Sequence, residues 1–466
     1  MIRLWFAGLL LAGCGGEVTP MPPDLGPDMT PPPFGIEITA VIDGGALYPF
    51  DPQKGDHGEH WVRLPFRVTL HPGTEERQDL RIAVAPPKAL RGPQVSISGG
   101  WYNGSVGMAY RAFDWLSPQM GSIKTDVLFQ RNPKIFEDNN EALQGDLEFR
   151  VKAQIVQYEE VIAESGEAII QGYYPKRLSD QNFSVYSGQV DGEYLYLSAR
   201  ANGGPFGGQG GVYRVKIGSG TVEHVATHKA RGDQTVPFLV DGDTLYFVSF
   251  LVDDGTSVLM KGAKDGTGTP AQITIAKDAR NVLAIGRDTT HIYLALEMKG
   301  STAAYRFSKA DPAQGTAQSA GLGSLKRNTL AVTKDHFVLM RDDPPALLRL
   351  TKDLSTIDKL IDLGSTAGER TLVCDDSYCF WTEWYDGWLF RVPILGGTKV
   401  KLASTNQPIL WDGSYLYSGI NGLIRVAPKE NSPVQRLFEG SVVPLLGLDE
   451  DYIYFGRDDR LWRLHK

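Results

Sequence analysis

The sequence predicts an all-β protein in two parts, an immunoglobulin-like β-sandwich followed by a seven-bladed β-propeller. Three observations support this prediction. The 466-residue chain contains 52 glycines and 10% aromatic residues, which suit short strands joined by tight turns. A strand-turn-strand phrase recurs along the second half of the chain. The segment before those repeats contains alternating apolar and polar stretches of its own.

Residues 1–13 have the features of an export signal. One basic residue precedes an apolar run that is much shorter than the about 20 residues needed to span a bilayer. Leu11-Ala12-Gly13-Cys14 resembles the lipobox of bacterial lipoproteins, in which a diacylglycerol is attached to the cysteine thiol and cleavage precedes that cysteine. The resemblance implies lipidation of Cys14. The alternative is an ordinary secretory signal followed by an accidental cysteine.

Residues 14–34 are predicted to form a tether behind the lipid. The segment is rich in proline and lacks apolar periodicity, so it stays extended at about 3.1 Å per residue. Gly15 follows the cysteine, where inner-membrane retention in well-studied Gram-negative bacteria often uses Asp. By that resemblance the outer membrane is favoured. We therefore expect a lipid-anchored protein of the cell envelope whose folded part stands clear of the membrane.

Charge narrows the range of partners. The formal net charge is −8 and no Lys/Arg block is present, which argues against a nucleic-acid partner. Beyond the signal no apolar run approaches membrane-spanning length, so the lipid is the expected membrane attachment. The expected partners are the membrane, through the lipid, and an envelope protein or polysaccharide. No cofactor is predicted, with calcium or another divalent ion left as an alternative.

Two further cysteines are predicted to form a disulfide. With Cys14 assigned to the lipid, Cys374 and Cys379 remain as an even pair. They flank residues 375–378, which have the composition of a turn, so the two thiols should face each other across a hairpin. A redox-active or zinc-binding pair is the alternative, although the CxxC spacing and a neighbouring histidine are both absent.

The repeated phrase consists of an apolar pair, an Asp-rich turn and a Tyr-rich alternating strand. Its seven copies lie at residues 190–197, 240–248, 286–296, 332–340, 373–381, 411–419 and 448–456. Each copy is followed by a second phrase such as VYRV or LFRV, and in the first six repeats then by a short final strand, which is unclear in the third. This order predicts a four-stranded antiparallel meander in each repeat. Because each sheet has two apolar faces, the copies must stack, and radial stacking closes a ring.

The propeller is predicted to span residues 173–466. The seventh repeat stops after its third strand, and residues 174–182 read like residues 398–407 at the end of the fifth repeat. We expect residues 174–182 to supply the missing outer strand and to close the ring. The phrase DGxxLYF…LYRV resembles the blades of bacterial secreted propellers of the broad TolB-like type. That resemblance implies the fold and leaves the function open.

Residues 35–172 contain no copy of the blade phrase and are predicted to form the sandwich. Their alternating stretches are separated by turns rich in Gly, Pro and Asp. The Cys…Trp…Cys pattern is absent, so the assignment depends on strand number, and the expected role is to space or present the propeller. The predicted strands lie at residues 36–42, 60–70, 80–85, 94–98, 106–113, 147–158 and 167–174.

Short sequence motifs give little evidence for a metal-binding or catalytic site. His57 and His60, with Glu59 between them, are the best candidate metal ligands, and a solvated loop is the alternative. Residues 137–141 resemble a calcium loop only in composition. A GxSxG serine, a paired-carboxylate site and a Cys–His pair are all absent, so no catalytic residue is predicted. His224 and His228 are interpreted as structural.

The connections between the second and third strands carry the candidate binding residues. Since all blades share one orientation, these connections should project from one face, which is acidic with an aromatic island. The alternative is that acidic turns merely keep the loops soluble. The candidates are Asp253, Asp254, Glu297, Arg341, Asp342, Asp343, Trp384, Tyr385, Asp386, Arg457, Asp458 and Asp459. The leading hypothesis is a binding module for a protein or polysaccharide. The alternatives are a propeller lyase or hydrolase with a metal-assisted site at the channel mouth and, third, a purely structural role.

Overall fold

The computed structural model describes the strands between Gly35 and Gln157 and most of residues 160–466. The segments it leaves out after residue 160 are 203–204, 206–207, 229–235, 251–256, 276–278, 319–321, 364–370, 384–386, 406–407, 420–421, 429–433, 440–441, 443 and 458. In the described part of the chain no helix is long and apolar enough to span a bilayer. The predicted signal, Cys14 and the tether lie outside the described residues, as do His57, Glu59 and His60.

The chain before the repeats forms two antiparallel sheets. Its strands are β1 (Gly35–Val41), β2 (Tyr48–Pro49), β3 (Trp61–His71), β4 (Asp79–Ala85), β5 (Leu90–Ile97), β6 (Gly100–Asn103), β7 (Met108–Arg111), β8 (Ser122–Arg131), β9 (Gly145–Gln157), β10 (Glu160–Glu164) and β11 (Ala168–Tyr174). One sheet has the order β1-β3-β8-β5-β6, with β2 paired to β3. The other has the order β10-β9-β4-β7, with β11 paired to β9. The seven predicted stretches correspond to strands of these sheets, whereas β2, β6, β8 and β10 were not predicted.

The repeats form seven four-stranded antiparallel sheets, which we number as blades 1 to 7. Blade 1 contains β13 (Phe183–Asp191), β14 (Tyr194–Ala201), β15 (Gly210–Lys216) and β16 (Val222–Thr227). Blade 2 contains β17 (Phe238–Asp241), β18 (Thr244–Phe250), β19 (Ser257–Ala263) and β20 (Ala271–Ile273). Blade 3 contains β21 (Ala279–Arg287), β22 (His291–Met298), β23 (Ser301–Ser308) and β24 (Gly315–Gln318). The last of these is the strand that was unclear from sequence.

The remaining blades repeat the same order. Blade 4 contains β25 (Ser324–Val332), β26 (His336–Asp343), β27 (Ala346–Thr351) and β28 (Ile357–Asp362). Blade 5 contains β29 (Leu372–Cys374), β30 (Tyr378–Glu383), β31 (Trp388–Pro393) and β32 (Val400–Ser404). Blade 6 contains β33 (Ile409–Trp411), β34 (Leu416–Ser418), β35 (Gly422–Val426) and β36 (Gln435–Glu439). Blade 7 contains β37 (Leu445–Leu448), β38 (Tyr452–Arg457), β39 (Arg460–His465) and β12 (Lys176–Arg177), which precedes blade 1 in the chain.

The second strand of a blade is buried on both faces because it lies between two neighbouring sheets. In β14, Leu195 and Leu197 pack with residues of blade 7, including Leu461. Tyr196 points the other way and packs with Val240 of blade 2. The alternation of period two therefore sends successive apolar side chains into two different inter-blade cores, and each core needs both of its blades.

The innermost strands close a ring. Each first strand contacts the first strand of the next blade, and β13 of blade 1 contacts β37 of blade 7. At this last junction a Cβ atom on Gly188 would lie 2.6 Å from the Leu446 carbonyl oxygen, so only glycine permits this approach. On the outer side Lys176 and Arg177 pair with Arg463 and Trp462 of β39. The seven-bladed β-propeller predicted from the repeats is confirmed.

The predicted disulfide is also present. Cys374 ends β29 and faces Cys379 in β30, with their Cα atoms 4.1 Å apart. Asp375 shapes the turn between them, because its Oδ1 atom accepts hydrogen bonds from the main-chain N–H groups of Ser377 and Tyr378. The disulfide therefore cross-links the first and second strands of blade 5.

Candidate binding face

The meander gives the ring two unlike faces. Strand direction alternates within each blade, so the turns between first and second strands all lie on one face, which we call the turn face. The connections between second and third strands, and those from one blade to the next, lie on the opposite face, which we call the loop face. The predicted binding residues belong to the loop face.

The turn face is tightly organised around one aspartate in each of several blades. Asp288 of blade 3 shows the pattern: its Oδ1 atom accepts hydrogen bonds from the main-chain N–H groups of Thr290 and His291. Its Oδ2 atom accepts hydrogen bonds from the Tyr293 hydroxyl at 2.9 Å and from Lys352 Nζ at 2.8 Å. Burial alone would raise the pKa of Asp288, but these hydrogen bonds outweigh it and hold the pKa well below its usual range.

Lys352 belongs to the next blade, so its bond to Asp288 joins two blades. Equivalent ion pairs, which we call junction ion pairs, recur between a turn aspartate and a lysine of the following blade. They are Lys264–Asp191 at 2.8 Å, Lys309–Asp241 at 2.6 Å, Lys352–Asp288 at 2.8 Å and Lys466–Asp412 at 3.3 Å. In every case the lysine stands three residues after the basic residue of the VYRV-type phrase.

That basic residue also makes contacts between neighbouring blades, both at a junction with an ion pair and at junctions without one. Arg306 Nη1 of blade 3 donates to the Lys352 carbonyl oxygen at 2.8 Å, and Arg349 Nη1 of blade 4 donates to the Ile394 carbonyl oxygen at 2.9 Å. Arg391 of blade 5 donates in the same way to the carbonyl oxygen of Pro428. The repeated arginine and lysine are therefore explained by blade-to-blade contacts on the turn face.

The loop face has longer connections in three blades. Residues 202–209, 251–256 and 384–387 join the second and third strands of blades 1, 2 and 5. By contrast the equivalent connection of blade 3 is 299–300 and that of blade 4 is 344–345. Long connections held on a rigid scaffold are where binding residues are usually found.

The candidates in blade 4 belong to one hairpin. Arg341 folds back on it, because Nε donates to the Pro344 carbonyl oxygen at 2.6 Å. Asp342 Oδ1 lies 3.8 Å from Lys326 Nζ, at the start of the innermost strand, and both side chains are partly exposed. Asp343 is exposed and precedes a cis peptide bond to Pro344. The arginine thus orders the hairpin, while the two carboxylates face outward.

Blade 7 places its candidates at the ring closure. Arg457 ends β38, and its carbonyl oxygen accepts a hydrogen bond from Trp462 Nε1. Asp459 is exposed and has a φ of 57°, a left-handed conformation that aspartate tolerates better than most residues. Its carbonyl oxygen accepts a hydrogen bond at 2.7 Å from the N–H of Phe183, where blade 1 begins. The main chain here joins blades, and the Asp459 carboxylate is left at the surface.

The other candidates are divided between described and undescribed residues. Glu297 lies in β22, where its Oε2 atom accepts a hydrogen bond at 2.7 Å from Asn281 Nδ2 of the innermost strand. The remaining candidates, Asp253, Asp254, Trp384, Tyr385, Asp386 and Asp458, lie outside the described residues.

An ion pair with a buried carboxylate lies at the end of the second strand of blade 5. Glu383 is the last residue of β30, with a side chain only 3% exposed. Its Oε1 atom accepts hydrogen bonds from Trp381 Nε1 at 3.0 Å and Lys399 Nζ at 2.8 Å. The Lys399 ammonium also lies over the Phe390 ring. This buried charge was not predicted from sequence, since Lys399 is distant in the chain.

Blade 1 contains a buried serine and a buried histidine, Ser198 and His228, that lie in contact. His228 Nε2 lies 3.2 Å from Ser198 Oγ, and both residues are almost fully buried. Burial lowers the pKa of His228 to about 4, so the imidazole is neutral near pH 7. A Cβ atom on Gly211 would lie 2.6 Å from His224 Nε2, so glycine makes room for the second histidine. Because Ser198 is fully buried, this pair is an interior contact, in agreement with the structural interpretation of His228.

Metal ligands are not clustered in the described part of the chain. Within it no group of three or more His, Cys, Asp or Glu side chains is arranged to hold an ion.

Comparison with known proteins gives only distant structural similarities. No protein-family model matches the sequence, and no curated protein matches it. A streptogramin B lyase structure is similar with a TM-score of 0.46 and 11% identity, covering 63% of this chain and 97% of that chain. A nidogen/laminin complex is similar with a TM-score of 0.34 and 10% identity, covering 53% and 86%. A Hadza microbial sialidase is similar with a TM-score of 0.41 and 13% identity, covering 92% and 99%. At such low identity these similarities assign no activity to this chain.

Proposed function

We propose that this protein is a membrane-anchored envelope lipoprotein whose propeller binds a protein or polysaccharide partner through its loop face. The observation that carries the proposal is the contrast between the two faces. The turn face is held by junction ion pairs between blades, whereas the loop face carries the connections at residues 202–209 and 251–256 within blades and at residues 228–237 and 363–371 between blades. Connections held on a rigid scaffold are where binding residues are usually found, although the fold alone assigns no function.

The chemistry of the loop face supports a partner that offers hydrogen-bond donors or positive charge. Asp342, Asp343 and Asp459 present carboxylates on hairpins whose main chains are held by internal hydrogen bonds. In blade 5, the sequence adds Trp384 and Tyr385 directly after the buried Glu383. Aromatic side chains supply contact area and carboxylates supply orientation, which suits a sugar or a peptide.

The first part of the chain suits the anchoring part of the proposal. Cys14 would carry the lipid in the outer membrane, and residues 14–34 would extend the chain away from it. We further propose that the two sheets of residues 35–172 pack as an immunoglobulin-like sandwich that presents the propeller. Labelling cells with radioactive palmitate tests the anchor: the wild-type protein should be labelled and membrane-bound. Cys14→Ser should lose both properties, and label retained by that variant would refute lipidation at Cys14.

Binding is tested with the purified propeller-containing protein immobilised on beads and incubated with an extract of the native envelope. We expect the wild type to retain material, and Trp384→Ala and Asp386→Ala to retain much less of it. Asp335→Ala, which removes an exposed carboxylate from the turn face, is the matched control and should retain the wild-type amount. Protease or periodate treatment of the extract then separates a protein partner from a polysaccharide. Unchanged retention in both loop-face variants would remove this face as the binding surface.

A further inference from the structure

The junction between blade 7 and blade 1 departs from the pattern of the turn face. Four turn aspartates each contact a lysine ammonium from the following blade. At the ring closure the aspartate is Asp449 of blade 7, and the position that lysine occupies elsewhere is Ile217 of blade 1. Ile217 packs against the apolar core shared by these two blades. The carboxylate is therefore kept while its internal cation is replaced by an apolar side chain.

Asp449 otherwise keeps the geometry of the paired aspartates. Its Oδ1 atom accepts hydrogen bonds from the N–H groups of Asp451 and Tyr452, and its Oδ2 atom accepts one from the Tyr454 hydroxyl at 2.5 Å. Asp412 in blade 6 has the same three kinds of contact and a fourth, from Lys466 Nζ. Within the described residues no lysine or arginine supplies that fourth contact to Asp449.

A cavity of about 560 Å³ opens beside Asp449. Val190 and Leu448 form apolar parts of its wall, and Glu450 and Asp451 add two exposed carboxylates. Lys466 also lines the cavity, but its ammonium is already bound to Asp412. Asp375 of blade 5 lacks a junction lysine as well, since Pro428 occupies that position. The structure therefore places a cavity next to a turn aspartate whose counterparts in four other blades bind an ammonium group.

We propose that this cavity binds an alkylammonium group supplied from outside the chain, with the ammonium at Asp449 Oδ2 and the alkyl stem against Val190 and Leu448. The other repeats support this assignment, because the equivalent aspartates of four blades bind a lysine ammonium in the same setting. The group has two sources, a lysine side chain of a partner protein or a free alkyl diamine. The site lies on the turn face, so it is independent of the function proposed for the loop face.

Calorimetric titration of the full chain tests the proposal with two probes, cadaverine and a short peptide containing one lysine. We expect saturable binding of at least one probe, and the stronger probe indicates the source. Asp449→Asn should weaken that binding by about tenfold or more, as expected for loss of a charge-assisted hydrogen bond. Asp335→Asn removes one exposed turn-face carboxylate and should leave it unchanged. Equal binding by the wild type and Asp449→Asn, or no saturable binding of either probe, would overturn the proposal.

A second variant tests the site from within the chain. Ile217→Lys restores the residue found at the four paired junctions, so its ammonium should occupy the position at Asp449. We expect this variant to bind the probes about tenfold more weakly than the wild type while its thermal unfolding temperature is maintained or raised. A folded Ile217→Lys protein that binds the probes as well as the wild type contradicts the proposed location. If this variant does not fold, the Asp449→Asn comparison still decides the question.

Discussion

The pH dependence of the free energy of unfolding tests whether burial keeps the imidazole of His228 in blade 1 neutral. The residue is 3% exposed and its Nε2 atom lies 3.2 Å from the Ser198 hydroxyl oxygen. Burial lowers the pKa of His228 from 6.5 to about 4. Since the folded-state value lies below the unfolded one, the unfolded chain takes up the proton first as pH falls.

The size of the effect follows from that difference. At about 1.4 kcal/mol per pKa unit, the full shift corresponds to about 3 kcal/mol of free energy of unfolding. This stability is present above about pH 6.5, is lost progressively towards about pH 4, and changes no further below that. Between about pH 7 and about pH 4.5 the loss amounts to about 2 kcal/mol.

The assay is urea unfolding followed by tryptophan fluorescence at several pH values in this window. His228→Asn cannot titrate, so its free energy of unfolding should fall by about 2 kcal/mol less than that of the wild type over the same interval. His336→Asn, at a partly exposed histidine of blade 4, controls for loss of a histidine as such. The variant with Asn at 336 should keep the wild-type slope, because His228 is intact. Parallel pH profiles for the wild type and His228→Asn would refute the reasoning.

Three other predictions concern the ring. Asp288→Asn and Lys352→Ala should each lower the free energy of unfolding by about 1 to 3 kcal/mol. A double-mutant cycle measured by urea unfolding should show a coupling energy between the two residues, and additive effects would contradict the ion pair. Because the pKa of Asp288 is depressed, that stability should disappear as pH falls below about 4, which Asp288→Asn should not show. Gly188→Ala should cost about 1 to 3 kcal/mol in the same assay, since the new methyl group meets a main-chain oxygen of blade 7, and a neutral result would deny that close approach. Replacing Cys374 and Cys379 by serine should lower the free energy of unfolding by at most about 2 kcal/mol, because the loop that the disulfide closes is short. Calorimetric unfolding of the double variant measures this change, and loss of the folded state would contradict the small contribution expected of the disulfide.

Local patterns account for the part of the fold that was predictable from sequence. Alternation of period two and Asp-rich turns are properties of adjacent residues, so the seven blades and the hairpin disulfide could be inferred directly. The short β24 was missed because Gly315–Gln318 has few apolar residues with which to mark a strand. The unpredicted β8 (Ser122–Arg131) mixes charged and apolar residues, which weakens its alternation.

Contacts between blades were harder to predict. Asp288 and Lys352 are 64 residues apart, and their pairing becomes visible only when the blades are placed in register. A signal was nevertheless present, since a lysine follows the phrase arginine by three residues in several repeats. The Ser198–His228 contact left no comparable signal. Arg341 was predicted as a binding-face residue from its position alone, and its Nε bond to the Pro344 carbonyl oxygen of its own hairpin had no sequence signal.

The position of β12 has a consequence for the folding of the propeller. Lys176–Arg177 precedes blade 1 in the chain, but its partner strand Arg460–His465 follows some 280 residues later. When the chain folds in the order of its sequence, six blades can form before the closing strand is available, and the two flanks of the future closure then expose apolar surface. A chain cut within the last blade would leave both flanks permanently exposed.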